Sequence, residues 1–157
     1  MTPLPDFMQP GHEENLGAHT FTAEEIIRFA GRFDPQPFHL SEEAARNSIF
    51  GGLCASGWHT VSVWMRKQRE TAEARSKEAL KTGGKLPQAG VSPGFRDLRW
   101  LRPVMAGDTI TYYSKTETCR PSASRPGWYI MEAVNRGENQ HGETVIEFTG
   151  SLLLEMR

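Results

Sequence analysis

The stretch that most constrains this chain runs from Leu53 to Met65, Leu-Cys-Ala-Ser-Gly-Trp-His-Thr-Val-Ser-Val-Trp-Met, which holds no formally charged residue and is apolar or small on every side. Such a pattern predicts a helix buried all round, so other elements must wrap it. Beyond Met65 the sequence turns to Arg66-Lys67-Gln68-Arg69-Glu70. The spacings Arg66–Glu70, Arg69–Glu73 and Glu73–Lys77 suit ion pairs along a helix surface, so the helix is expected to continue out through solvent. The wrapping material comes later in the chain. Strand signals run over Phe95–Leu101, Thr109–Thr118, Trp128–Arg136 and Thr144–Met156, after a loop over 82–94. In the last strand Ile146, Phe148, Leu152, Leu154 and Met156 alternate with Glu147, Thr149, Ser151 and Glu155, giving one face to lay against the helix. Early helices followed by a run of strands predict an α+β domain with an antiparallel sheet and the helices on one side.

Ahead of the charge-free stretch, Thr22 and Glu25 form a capping box opening a helix that turns Ile26, Ile27, Phe29, Ala30 and Phe33 inward. The helix stops at Asp34 because Pro35 follows. In Asp34-Pro35-Gln36-Pro37-Phe38-His39, two prolines predict a stiff, extended loop that can aim a carboxylate and an imidazole at one point. Ser41 then caps a short helix over 42–45, and Phe50-Gly51-Gly52 turns the chain towards the charge-free helix. Residues 1–16 read as a loosely ordered arm, with a short strand through 17–21, and 17–157 as a single domain.

With 18 basic and 19 acidic residues and no long run of either sign, no nucleic-acid or membrane-binding stripe is expected. No apolar run reaches membrane-span length and the first residues lack a signal pattern, which points to a cytoplasmic protein. Cys54 and Cys119 give neither a disulfide framework nor a zinc spacing and read as small buried side chains. His59 reads as a hydrogen-bonded core histidine, Trp58 and Trp64 as core packing, and His12, His19 and His141 as surface residues. Arg96, Arg99 and Arg102 read as a solvated face.

Several segments resemble one family. Phe33-Asp34-Pro35-Gln36-Pro37-Phe38-His39, Ser41-Glu42-Glu43-Ala44-Ala45, Phe50-Gly51-Gly52, Ser56-Gly57 and Leu101-Arg102-Pro103-Val104 with Gly107-Asp108-Thr109 are together similar to the MaoC-like dehydratases, which include the (R)-specific enoyl-CoA hydratases. The resemblance implies a hotdog fold, a curled antiparallel sheet wrapped around one long central helix. It implies reversible hydration of a 2-enoyl-CoA, with Asp34 and His39 as the catalytic pair and the Gly57 N–H meeting the thioester oxygen. Phe50, Gly52, Ser56 and Trp58 would contact an acyl-CoA substrate, with no cofactor or metal, in a homodimer or dimer of dimers. Many of the (R)-specific hydratases carry Asn where Gln36 stands and His where Ser56 stands. The competing functions are a non-catalytic acyl-thioester-binding hotdog subunit and a hotdog thioesterase. The latter would place a carboxylate on the central helix, and Leu53–Met65 holds none.

Overall fold

The computed structural model describes residues 3–157. A 3-10 turn at Asp6–Met8 leads into β1 (Glu13–Thr20), then α1 (Ala23–Phe33), α2 (Pro37–Leu40), α3 (Glu42–Arg46), α4 (Gly57–Thr82), β2 (Gln88–Ala89), β3 (Gly94–Trp100), β4 (Thr109–Pro121), β5 (Trp128–Glu138) and β6 (Thr144–Glu155). The sheet runs β1-β4-β5-β6 with every pairing antiparallel, and both β2 and β3 pair with β6. The curled sheet lies against the long helix α4, the hotdog arrangement expected from the sequence. The four long strands fall within a few residues of their predicted bounds.

The core forms where α4 meets the sheet. Val63 of α4 packs with Phe21, Ile26, Ile110, Tyr112, Ile146 and Phe148, all nearly solvent-free. The Tyr112 hydroxyl donates to the Thr60 carbonyl at 2.8 Å, tying the helix to β4. Burial carries the Tyr112 pKa far above its ordinary value, so the hydroxyl remains a donor.

Five expectations are corrected. The charge-free helix begins at Gly57, not Leu53; Leu53–Ser56 is a buried lead-in whose Cys54 bridges to Met105. Nor is it buried all round, because the sheet covers one side. His59, Thr60 and Val63 are buried, whereas Trp58 is 51 % and Met65 48 % exposed. The segment before His39 is not wholly extended. Pro37 stands at the first position of α2, where a missing N–H costs nothing, so His39 rides on a one-turn helix. The N-terminal strand starts at Glu13, and Met8 is fully buried, so residues 6–16 pack onto the sheet; residues 1 and 2 of the expected arm lie outside the described residues. In α1 only Ile26 and Ala30 are buried, and Phe33 is exposed.

Other expectations hold in detail. The Thr22 and Glu25 side chains each accept the other's backbone N–H, completing the capping box. Arg66–Glu70 and Lys77–Glu73 pair along α4. Beyond Thr82 the helix ends on Gly83 in the left-handed conformation, φ +70°. Among the described residues, no helix is long and apolar enough to cross a membrane.

Candidate active site

Asp34 caps the C-terminus of α1, its N–H donating to the Ala30 carbonyl at 2.9 Å. That last turn sets the carboxylate beside α2. Gln36 Nε2 donates to Asp34 Oδ1 at 2.7 Å, and Asp34 Oδ2 lies 3.4 Å from His39 Nε2. Partial burial would raise the Asp34 pKa, but the Gln36 hydrogen bond, the nearby Ser56 hydroxyl and His39 outweigh it, so the group sits below the ordinary aspartate range and is a carboxylate at neutral pH.

His39 is 6 % exposed. Its Nδ1 lies 2.6 Å from the Cys54 carbonyl oxygen, which can only accept, so Nδ1 carries a proton and donates it there. Nε2 is thereby turned to Asp34. The Cys54 thiol, 3.8 Å from Nδ1, offers no nucleophile, because burial pushes its pKa up to about 11. What Cys54 contributes is its main chain.

The pair opens on a cavity of about 480 Å³ lined by Asp34, Gln36, His39, Phe50, Gly57 and Trp58 together with Trp100 and Leu101–Val104. Thus five of the seven expected site residues meet in one space, and two do not. Ser56 is fully buried behind the wall as the residue preceding α4; its Oγ makes no hydrogen bond of ordinary geometry, though it is close enough to help lower the Asp34 pKa. Gly52 is packed instead against Met105, since a Cβ there would come within 2.9 Å of Met105 Cε.

Gly57 opens α4 without a side-chain cap, so the positive end of a 26-residue helix faces the cavity. The space over Gly57 is filled by Trp100, whose indole a Cβ at Gly57 would overlap. Trp58 meets Trp100 edge-on at 5.2 Å between ring centroids, so two indoles frame the mouth. Trp100 and the Cys54 carbonyl escaped the sequence reading. A main-chain acceptor leaves no trace in residue type, and Trp100 comes from a distant strand.

His59 is packed rather than hydrogen-bonded through Nδ1. It stacks on Phe29 at 4.5 Å, meets Phe21 edge-on at 5.0 Å, and Nδ1 is buried without a partner. Burial pulls its pKa down to about 4. His19 is also less exposed than expected, with Nε2 2.9 Å from Glu25. Of the three arginines, Arg96 pairs with Glu132 and Arg102 with Glu143.

Comparison with known proteins places this geometry in context. The family model described as "MaoC like domain" matches residues 8–126. The crystal structure of the MaoC-like dehydratase from Rhodospirillum rubrum is 34 % identical, covers 99 % of each chain and superposes with a TM-score of 0.78. An (R)-hydratase from A. caviae involved in PHA biosynthesis is 21 % identical over 95 % of this chain and 97 % of its own, TM-score 0.61, a likeness of fold. The uncharacterized protein YdeM of Bacillus subtilis is 48 % identical over 40 residues, which are 26 % of this chain and 28 % of that protein.

Proposed function

We propose a hydro-lyase acting on acyl thioesters for this chain, which belongs to the family of MaoC-like hotdog dehydratases. The reaction is the reversible hydration of a 2-enoyl-CoA to the (R)-3-hydroxyacyl-CoA. One observation carries the reading: with Nδ1–H committed to the Cys54 carbonyl, His39 Nε2 faces the Asp34 carboxylate across 3.4 Å inside a cavity that also receives the uncapped start of α4.

Two groups that both present lone pairs repel unless a proton donor lies between or beside them. A water molecule supplies two such protons. Held by Asp34 and His39, its oxygen adds to C3 as one of its protons passes to that pair and the π electrons move through C2 towards the thioester oxygen. A proton then reaches C2 from the same pair. Negative charge gathering on the thioester oxygen is stabilised by the Gly57 N–H and the helix end, once the Trp100 indole yields the space over Gly57. In the reverse direction the same groups remove the C2 proton and protonate the departing hydroxyl. Gln36 holds Asp34 in place and keeps it ionised.

The protein is proposed to work in the cytoplasm as a homodimer or dimer of dimers. Beyond β6, β3 has no second strand partner among the described residues, and it exposes Phe95 and Trp100. An edge of that kind is closed by pairing with another copy. Light scattering tests the assembly, a monomer at working concentration counting against it. The activity is tested by adding crotonyl-CoA and following loss of the enoyl-thioester absorbance. Turnover that disappears in Asp34→Asn supports the assignment, and turnover unchanged in that variant removes it.

A further inference from the structure

A second cavity, of about 400 Å³, lies between α4 and the sheet, with apolar walls that include Val61, Trp64, Met65, Phe95, Leu98 and Phe148. Three elements carry the two cavities in the same order. On α4, Gly57, Trp58 and Thr60 line the first, and Val61, Trp64 and Met65 the second. On β3, Trp100 lines the first and Leu98 and Phe95 the second; on β6, Val145 lines the first and Phe148 and Gly150 the second. The cavities are therefore successive parts of one cleft, yet none of the described residues lines both.

Trp100 stands at the division. It is the last residue of β3 and lines the first cavity, whereas Leu98, two places back on the same strand, lines the second. Its ring crosses to α4. The indole lies so close over Gly57 that a Cβ there would overlap it, and it meets Trp58, about one turn before Val61, edge-on at 5.2 Å. The main chain beneath the ring is fixed, since Trp100 pairs with Ile146 and the Leu101 N–H donates to the Val145 carbonyl at 2.9 Å. An indole that yields to a thioester at Gly57 thus turns about a fixed strand position and remains in the cleft.

We propose that Trp100 sets the length of acyl chain the protein accepts: standing across the cleft between β3 and α4, it ends the first cavity and confines the substrate to short-chain 2-enoyl thioesters. The assignment rests on the reading that the thioester carbonyl lies at Gly57, and it narrows the substrate class of that site. A longer alkyl tail is left in water, whereas the apolar second cavity takes it up once the ring is removed. Each methylene withdrawn from water is worth about fourfold in affinity, so loss of the wall is measurable as binding.

Isothermal titration with butyryl-CoA and octanoyl-CoA, saturated thioesters that cannot be hydrated, separates this proposal from the catalytic one. The parent should favour octanoyl-CoA by less than about fivefold, or not at all, because its four further methylenes stay in water. Trp100→Ala should favour it by more than about fivefold, with about a hundredfold as the limit for four buried methylenes. Trp100→Leu, which keeps an apolar side chain but no ring to reach α4, should do the same and serves if the alanine variant does not fold. Adding Leu98→Trp, which fills the second cavity, should abolish the new preference. A parent that already favours octanoyl-CoA beyond that limit overturns the proposal, as does a Trp100 variant that does not, a preference that survives Leu98→Trp, or failure of the parent to bind either ligand. If the preference shifts as expected while crotonyl-CoA is never hydrated, the wall stands and the hydro-lyase falls; hydration of crotonyl-CoA without the shift has the opposite meaning.

Discussion

His39 and His59 are equally withdrawn from solvent, each 6 % exposed, yet they occupy opposite chemical situations. His39 has one ring nitrogen fixed on the Cys54 carbonyl and the other facing a carboxylate in a cavity. His59 stacks on Phe29 and meets Phe21 edge-on, with its Nδ1 unpaired. Burial alone therefore does not mark a working histidine. Partners decide: a donor bond that fixes the tautomer and a carboxylate close to the other nitrogen suit the proton transfers proposed for His39, whereas aromatic rings around His59 favour its neutral form.

The largest expected effect breaks the comparison at its catalytic side. Asp34→Asn keeps shape and removes the base, and His39→Ala removes its partner; each should slow crotonyl-CoA hydration by ~10²–10⁴-fold. The double variant should be scarcely slower than the poorer single one, as for groups that act as a unit. Independent, multiplying losses would show that the two do not share one water. A circular dichroism melt checks that both variants stay folded.

At the other histidine the expected effect falls on stability. With the folded pKa near 4 and an ordinary unfolded value, the unfolded chain binds the extra proton as pH falls from about 6.5 towards 4. His59 therefore costs stability across that window, at up to about 1.4 kcal/mol for each pH unit, and is neutral above it. Urea unfolding at a series of pH values should show this acid slope in the parent and a shallower one in His59→Phe. An identical slope in both would mean that His59 is already charged or freely hydrated in the folded state.

A smaller effect sharpens the role of the carboxylate. Gln36→Leu removes the donor to Asp34 Oδ1, one of the contacts holding its pKa down. The acid limb of kcat/KM for crotonyl-CoA should move to higher pH, with a loss at neutral pH of no more than about tenfold, the scale of a single hydrogen bond. An unmoved limb would detach Gln36 from the ionisation of Asp34. The smallest effect is expected at Cys54. Because the carbonyl and not the thiol holds His39, Cys54→Ala should hydrate crotonyl-CoA within about threefold of the parent, since every backbone acceptor is retained. A loss approaching that of His39→Ala would place the sulfur in the chemistry.

These contrasts also explain how far the sequence could be read. Thr22 and Glu25 announced α1, and the alternation around Ile146 and Phe148 announced β6, because capping and period-two burial are local properties of residue type. Asp34 and His39 were found through their motif, and the structure brings them to 3.4 Å. Pro37 misled, because the same residue that breaks a helix interior is accommodated at its first position. The charge-free run around Gly57 misled differently. A stretch without charge suggests cover on every side, yet Trp58 and Met65 lie open on the surface of the single chain, next to β3, whose outer edge no other strand among the described residues pairs. What sets His39 apart from His59 in the fold is a main-chain oxygen, which leaves no trace in residue type.

The edge-to-face pair of Trp58 and Trp100, inclined at 80° and about half exposed, gives the protein an optical consequence as well as a doorway. Two indoles so close and so steeply inclined couple their electronic transitions, and both line the cavity onto which Gly57 opens. Occupancy of the cavity is thereby written into the near-ultraviolet dichroism and emission of the native chain, and stopped-flow fluorescence can time the arrival of a ligand without any attached dye.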